Sequence, residues 1–199
     1  MRSQLLSIIT EPKDFTPENI SRVERMVKLA VSGGYLLPRP ASWVKEMIQN
    51  GSSIGLRDVK GKIAAWMVLR ELLVAQEEKI GFGEGAVWIG GEKIAILLRE
   101  AMLAECNRRF AATFIVINHD NINSLAVWRV EQAFSELTPT RVTQQIRHLT
   151  EWSKSAKLLY NSTQPVSYLE RIGIFNPLVY SHHLAQPFSI FPQATIDEF

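Results

Sequence analysis

Apolar residues recur at three- and four-residue intervals in four stretches of the chain, and each such stretch predicts a helix with one buried face. Ile20, Val23, Val27 and Ala30 or Val31 make the first. Thr16-Pro17-Glu18 opens it, with a capping hydroxyl ahead of proline at the first helical position, and Ser32-Gly33-Gly34 closes it. Trp43, Val44, Met47 and Ile48 make a shorter helix that starts at Ala41-Ser42 and stops at Asn50-Gly51. Ile94, Leu97, Leu98, Ala101 and Met102 mark the strongest, from the Gly90-Gly91 pair to about Arg109. Leu125, Val127, Trp128 and Val130 mark a fourth, which begins at Asn121 or Asn123.

Between these lie runs of strand type. Leu5 to Ile9 reads as a short strand, and Ser53–Val59 and Ile63–Leu73 read as a hairpin turning at Lys60-Gly61. Ile80 to Ile89 reads as a strand with one face stripped to glycine at Gly81, Gly83 and Gly85, so that another group can approach its backbone. Ala112 to Ile117 is continuously β-branched or aromatic, as in a strand covered on both faces. Residues 80–117 therefore form a strand, helix, strand crossover. Further on, the pattern predicts a helix within Pro139–Ser155, a strand at Lys157–Tyr160, a helix at Pro165–Ile172 closed by Gly173, and a last strand at Pro177–His183. No linker and no solenoid repeat interrupts the chain.

With 199 residues, 46% of them apolar and 21% charged, the chain can build one ordinary domain core. Lys and Arg total 22 against 20 Asp and Glu, and a net charge of +2 gives no argument for a nucleic-acid partner. The lone Cys106 cannot form an internal disulfide, which favours a reducing compartment. The apolar N-terminal stretch soon meets Glu11, Pro12 and Lys13, and the uncharged run Phe110–Ile117 is far short of the roughly 20 residues needed to cross a bilayer. The expectation is a cytoplasmic protein without membrane contact. His182 and His183 would point to opposite faces of a strand with no third ligand at metal-binding spacing, so no metal is expected.

The order strand, two helices, hairpin, glycine-bearing strand, long helix, buried strand, Asn-initiated helix resembles the GNAT superfamily of N-acetyltransferases. Three segments carry the likeness. Gly90-Gly91-Glu92-Lys93-Ile94-Ala95 stands where that family has its pyrophosphate loop. Phe114-Ile115-Val116-Ile117-Asn118-His119-Asp120-Asn121-Ile122-Asn123-Ser124-Leu125-Ala126-Val127-Trp128 is similar to its buried strand and following helix. Gly34-Tyr35-Leu36-Leu37-Pro38-Arg39-Pro40 is similar to the loop between the first two helices in the N-acetylglutamate synthase-like branch. The family's Arg or Gln position falls on Gly90 and its central Gly on Lys93; Trp128 stands where many relatives carry a tyrosine that protonates the product thiolate, a task indole cannot perform. A second threading is open: Tyr168-Leu169-Glu170-Arg171-Ile172-Gly173-Ile174-Phe175 is similar to the family's closing segment, which would make Ser124–Val127 the cofactor strand and Thr138–Ser155 the long helix.

The resemblance implies an α/β fold with a mixed, mostly antiparallel central sheet flanked by helices. A GNAT-like core would occupy residues 1–135, and residues 136–199 would be a further part of that domain or an extension that covers the acceptor cleft or forms a homodimer surface. It implies an acyltransferase that moves an acetyl or other acyl group from acyl-CoA to a primary amine, with an amine or amino acid as the small-molecule acceptor. Acyl-CoA would lie on Val87, Trp88, Ile89, Gly90, Gly91, Glu92, Lys93, Ile94 and Ala95, with Asn121 and Asn123 nearby. A helix N-terminus opened by glycines can hold a diphosphate on backbone N–H groups, and the glycine-faced strand would line the pantetheine arm. Glu84 is the candidate general base, because a carboxylate in a partly buried strand can be tuned toward neutrality; its bland reading is an edge charge facing solvent. Arg39 is the candidate for an acceptor carboxylate, or a loop residue packed on Trp43. Lys93 would meet phosphate or stay solvated, and Asn121 and Asn123 would cap a helix in any case. Cys106 reads as a small buried hydrophobe. The alternative from another class is a catalytically silent module with this fold that binds CoA or a protein partner.

Overall fold

The computed structural model describes residues 6–74 and 78–177. Its centre is a seven-stranded sheet, built from β1 (Ser7–Ile9), β2 (Ser53–Arg57), β3 (Ile63–Leu73), β4 (Lys79–Trp88), β5 (Thr113–Asn118), β6 (Ser135–Glu136) and β7 (Ala156–Asn161), in the spatial order β1-β2-β3-β4-β5-β7-β6. All neighbours are antiparallel except β4 and β5. The helices are α1 (Pro17–Ser32), α2 (Trp43–Gln49), α3 (Glu92–Arg109), α4 (Ile122–Arg129), α5 (Gln144–Leu149) and α6 (Val166–Arg171). Among the described residues no helix is long and apolar enough to cross a membrane.

Local chemistry sets most element boundaries. The Thr16 hydroxyl accepts the Asn19 N–H at 3.3 Å to cap α1, and Gly34 leaves the helix at φ +75. Asp58 accepts the N–H groups of Lys60 and Lys62, both at 2.9 Å, and Gly61 takes φ +79, which closes the β2–β3 hairpin. Asn19, buried in α1, then ties helix to hairpin: its amide donates to Gly61 O at 3.0 Å and its oxygen accepts from Ile63 N at 3.1 Å.

Alternation along the strands divides the core. On one face α3 and α4 cover Met67, Leu69, Ile115, Ile117 and Leu159. On the other, α1 and α2 cover Trp66, Val68 and Val87, while α5 and α6 cover Phe82, Phe114 and Leu158. Two helical groups on one face leave a gap between them, and the site lies there. Arg99 joins α3 to α4: only 1% exposed, its guanidinium donates to Val127 O at 2.9 Å and Val130 O at 3.0 Å, the carbonyls ending α4.

Two expectations change. The helix predicted within Pro139–Ser155 shrinks to a 3-10 turn at Pro139–Arg141 and the six-residue α5, because Val142 bridges to Phe175 and the Thr143 hydroxyl donates to Gly173 O at 3.0 Å. Ser124–Val127 is helical within α4, so the second threading does not hold. The predicted strand Pro177–His183, with His182 and His183, falls beyond Pro177 and so outside the described residues.

Candidate active site

The site begins where β4 and β5 separate. They pair at Gly81/Thr113, Phe82/Phe114 and Gly83/Ile115 and no further, although β4 runs on to Trp88 and β5 to Asn118. Each keeps its outer neighbour: β3 pairs with β4 up to Ala65/Trp88, and β7 with β5 up to Asn118/Ala156. Only the edges facing the opening lack a ladder, and such backbone groups can hydrogen-bond an extended amide-bearing ligand. A bulge in β4 drives the separation. Trp66 faces Val87 but Val68 faces Glu84, so one extra residue enters β4 at Gly85, which takes φ +66.

A cleft of about 240 Å³ occupies this opening. Residues 34–37 and Arg39 wall it on one side, Thr150, Glu151, Ser153 and Ser155 on the other, and Met67, Ser124 and Trp128 also line it. A second hollow of about 330 Å³ adjoins it between Gly33–Tyr35 and Asn118–Asn123. Asn121 borders both and Asn123 the second; the Asn121 side chain caps α4 through Ser124 N at 3.1 Å and reaches Tyr35 O at 3.5 Å.

Glu84 projects from β4 toward the loop before α2. Arg39 Nη2 donates to Oε2 at 2.7 Å, and Arg70 Nε lies 2.7 Å from Oε1. Arg39 rests over the Trp43 ring at 5.0 Å and Arg70 over the Phe82 ring at 5.3 Å, so each guanidinium is fixed by an aromatic face. Two cations around one carboxylate leave this corner with a formal charge of +1. Arg39 and Glu84 both border the cleft, as their candidate roles require. Sequence reading missed Arg70. Its signal was alternation on β3, where an arginine interrupts the apolar series Trp66, Val68, Leu72 on the face that also carries Glu84.

The segment Val87–Ala95 borders neither hollow directly. Val87 is buried beneath α1 and α2, Trp88 is partly buried against the α3 side, and Ile89 is about half exposed. Gly90 and Gly91 turn the chain at φ +107 and +90, and Gly91 has open space around it, with no atom within 4 Å of where a Cβ would stand. Gly90, Gly91, Glu92 and Lys93 are exposed, whereas Ala95 is buried in the first turns of α3. No side chain caps α3; Ile94 N–H donates to Gly91 O at 3.2 Å, which leaves the amides ahead of it to face an anion. The glycine corner is exposed and leaves room for an anion.

The bare face of β4 has a different use from the one expected. A Cβ on Gly81 would stand 2.7 Å from Phe110 Cδ2, and one on Gly83 2.5 Å from Met102 Cε. The approaching group is the protein's own α3 side, not a pantetheine arm. Cys106, on the same helix, is buried, and desolvation pushes its thiol up to about 12. Among the described residues no group of three or more His, Cys, Asp or Glu is placed to hold a metal ion.

No family model matches the sequence, and no curated protein matches it. Solved structures do. N-acetylglutamate synthase from Neisseria gonorrhoeae, complexed with coenzyme A and N-acetyl-glutamate, superposes with TM-score 0.61 at 12% identity over 82% of this chain, which spans 36% of that one. A GNAT superfamily phosphinothricin acetyltransferase from Sinorhizobium meliloti, in complex with AcCoA, gives 0.57 at 12% identity over 80% of this chain and 88% of that one. An N-acetyltransferase from Staphylococcus aureus Mu50 gives 0.56 at 11% identity over 79% and 97%. Sheet order, the separated β4–β5 pair and these superpositions agree: the chain has the GNAT N-acetyltransferase fold.

Proposed function

We propose that the protein transfers an acyl group, acetyl in the first instance, from acyl-CoA to the primary amine of a small carboxylate-bearing acceptor by direct attack in a ternary complex. The observation that carries this reading is the opening between β4 and β5 with the Arg39–Glu84 pair on its wall. The solved structures with CoA or AcCoA bound support acyl-CoA as co-substrate, and the one with N-acetyl-glutamate supports an amino-acid-like acceptor.

Acyl-CoA supplies the activated thioester. The diphosphate would rest at the turn of Gly90 and Gly91 against the first turn of α3, Glu92, Lys93, Ile94 and Ala95, on the amides ahead of Ile94 and with the Lys93 ammonium as the nearby cation. The backbone of Val87, Trp88 and Ile89 would run beside the pantetheine arm, with Asn121 and Asn123 on the far side. Arg39 would hold the acceptor's carboxylate through its planar fork, and Glu84 would take a proton from the acceptor ammonium. Positioning amine and thioester together removes much of the entropic barrier. Trp128 offers no acid in the cleft, so the leaving thiolate takes its proton from water.

Release of free thiol, measured over a panel of amines and amino acids with acetyl-CoA and longer acyl-CoAs, tests the reading. Turnover that is lost in Glu84→Gln while CoA binding persists is the expected result. Binding without turnover would instead favour the silent CoA-binding module, a reading supported by Lys93 and Trp128 at their positions.

A further inference from the structure

We infer that the acceptor's own carboxylate unmasks Glu84: it draws Arg39 off the Glu84 carboxylate, while Arg70 holds that carboxylate in place. This rests on the transferase reading above and specifies how its site selects a substrate. Both oxygens of Glu84 are engaged by cations, Oε2 by Arg39 Nη2 and Oε1 by Arg70 Nε. With a guanidinium nitrogen 2.7 Å from each oxygen, an incoming ammonium meets a carboxylate already paired with two cations, in a corner whose net positive charge repels it. A primary amine without a carboxylate therefore meets a masked base.

The same corner has what is needed to lift the mask. Its formal charge is +1, so one more carboxylate neutralises it. Arg39 is the more replaceable partner. It comes from the loop before α2 and borders the cleft. Arg70 springs from β3, where its backbone is paired with Phe82 of β4, and it does not border the cleft. The present pairing is also unsaturated: among the described residues, Arg39 Nε and Arg70 Nε are buried without a hydrogen-bond acceptor, the 2.7 Å Arg70 contact being poorly aligned for one. Pivoting on the Trp43 face, Arg39 can present its Nε–Nη2 edge to a second carboxylate as a bidentate pair. Oε2 is then free to accept the ammonium proton, which gives the neutral amine and a protonated Glu84, and the proton later leaves to water through the open cleft. In this scheme Arg70 is a positioning residue, acting through Glu84 alone.

The test compares amino acids with matched primary amines in which methyl replaces the carboxylate, in wild type and Arg39→Gln, by kcat/KM for acceptor. Unmasking predicts effects of opposite sign. Arg39→Gln lowers kcat/KM for the amino acids by about 10- to 100-fold, the worth of a charge-assisted pair, and raises it for the carboxylate-free amines. A fall for both acceptor types, or a fall for amino acids with no change for the amines, overturns the proposal and leaves Arg39 a structural or a simple binding residue. Wild type without turnover on any acceptor overturns the transferase reading and the unmasking with it. Arg39→Met, which keeps the stem over Trp43, must give the same pair of signs.

Discussion

Gly85 and Trp43 meet where the sheet opens: a Cβ on Gly85 would stand 2.4 Å from Trp43 Cη2, at a backbone φ of +66. The bulge that parts β4 from β5 thus depends on an absent side chain, and the ring that excludes it also carries the Arg39 guanidinium. Gly85→Ala adds a left-handed penalty to a clash with a ring locked edge-on against Trp66 at 5.5 Å. It should cost roughly 2–4 kcal/mol, read as a lower urea midpoint at unchanged m-value.

Arg99 is a buried cation shared between the Glu100 carboxylate and two carbonyls that end α4. Arg99→Met keeps the volume but leaves both carbonyls without their donor. A loss of roughly 2–4 kcal/mol is expected by chemical denaturation, and a loss under about 0.5 kcal/mol would show that water replaces the guanidinium.

Cys106 should resist alkylation in the native protein at pH 8 and react fully on unfolding, because burial holds its thiol protonated up to about 12. The folded state favours the protonated thiol. Its contribution to stability is therefore complete below the unfolded value near 9.0 and is lost as pH climbs from there toward about 12. Cys106→Ala should remove this alkaline component, as seen in stability measured across that window.

Lys93 stands in the first turn of α3, where a cation opposes the helix dipole. Lys93→Glu should leave the fold as stable or up to about 1 kcal/mol more stable while weakening CoA, and it should spare a pantetheine thioester that lacks phosphates. Equal loss for both ligands would place the phosphates elsewhere.

The sequence read well where a structural signal is local. Thr16-Pro17 and Gly33-Gly34 bracket α1, Lys60-Gly61 turns the hairpin, and Gly90-Gly91 opens α3, each by an intrinsic preference that no distant residue overrides. It read poorly where partners meet through the sheet. Arg70 reaches Glu84 only through strand register, the glycines of β4 serve Phe110 and Met102 from another element, and Pro139–Ser155 breaks because Phe175 claims Val142. The burial of Arg99 was hidden for a related reason: its acceptors become available only where α4 ends.

Acyl-CoA recognition at the β4–β5 opening is the claim on which the chemistry depends, and the thermal midpoint of the whole chain under titration with acetyl-CoA reads it most directly. A ligand that binds the folded state alone stabilises it by RT ln(1 + [L]/Kd), about 2.7 kcal/mol at a hundredfold excess over Kd. The midpoint should rise saturably with acetyl-CoA, and by less in Lys93→Glu. A midpoint that stays fixed at millimolar acetyl-CoA, longer acyl-CoAs and free CoA would contradict it.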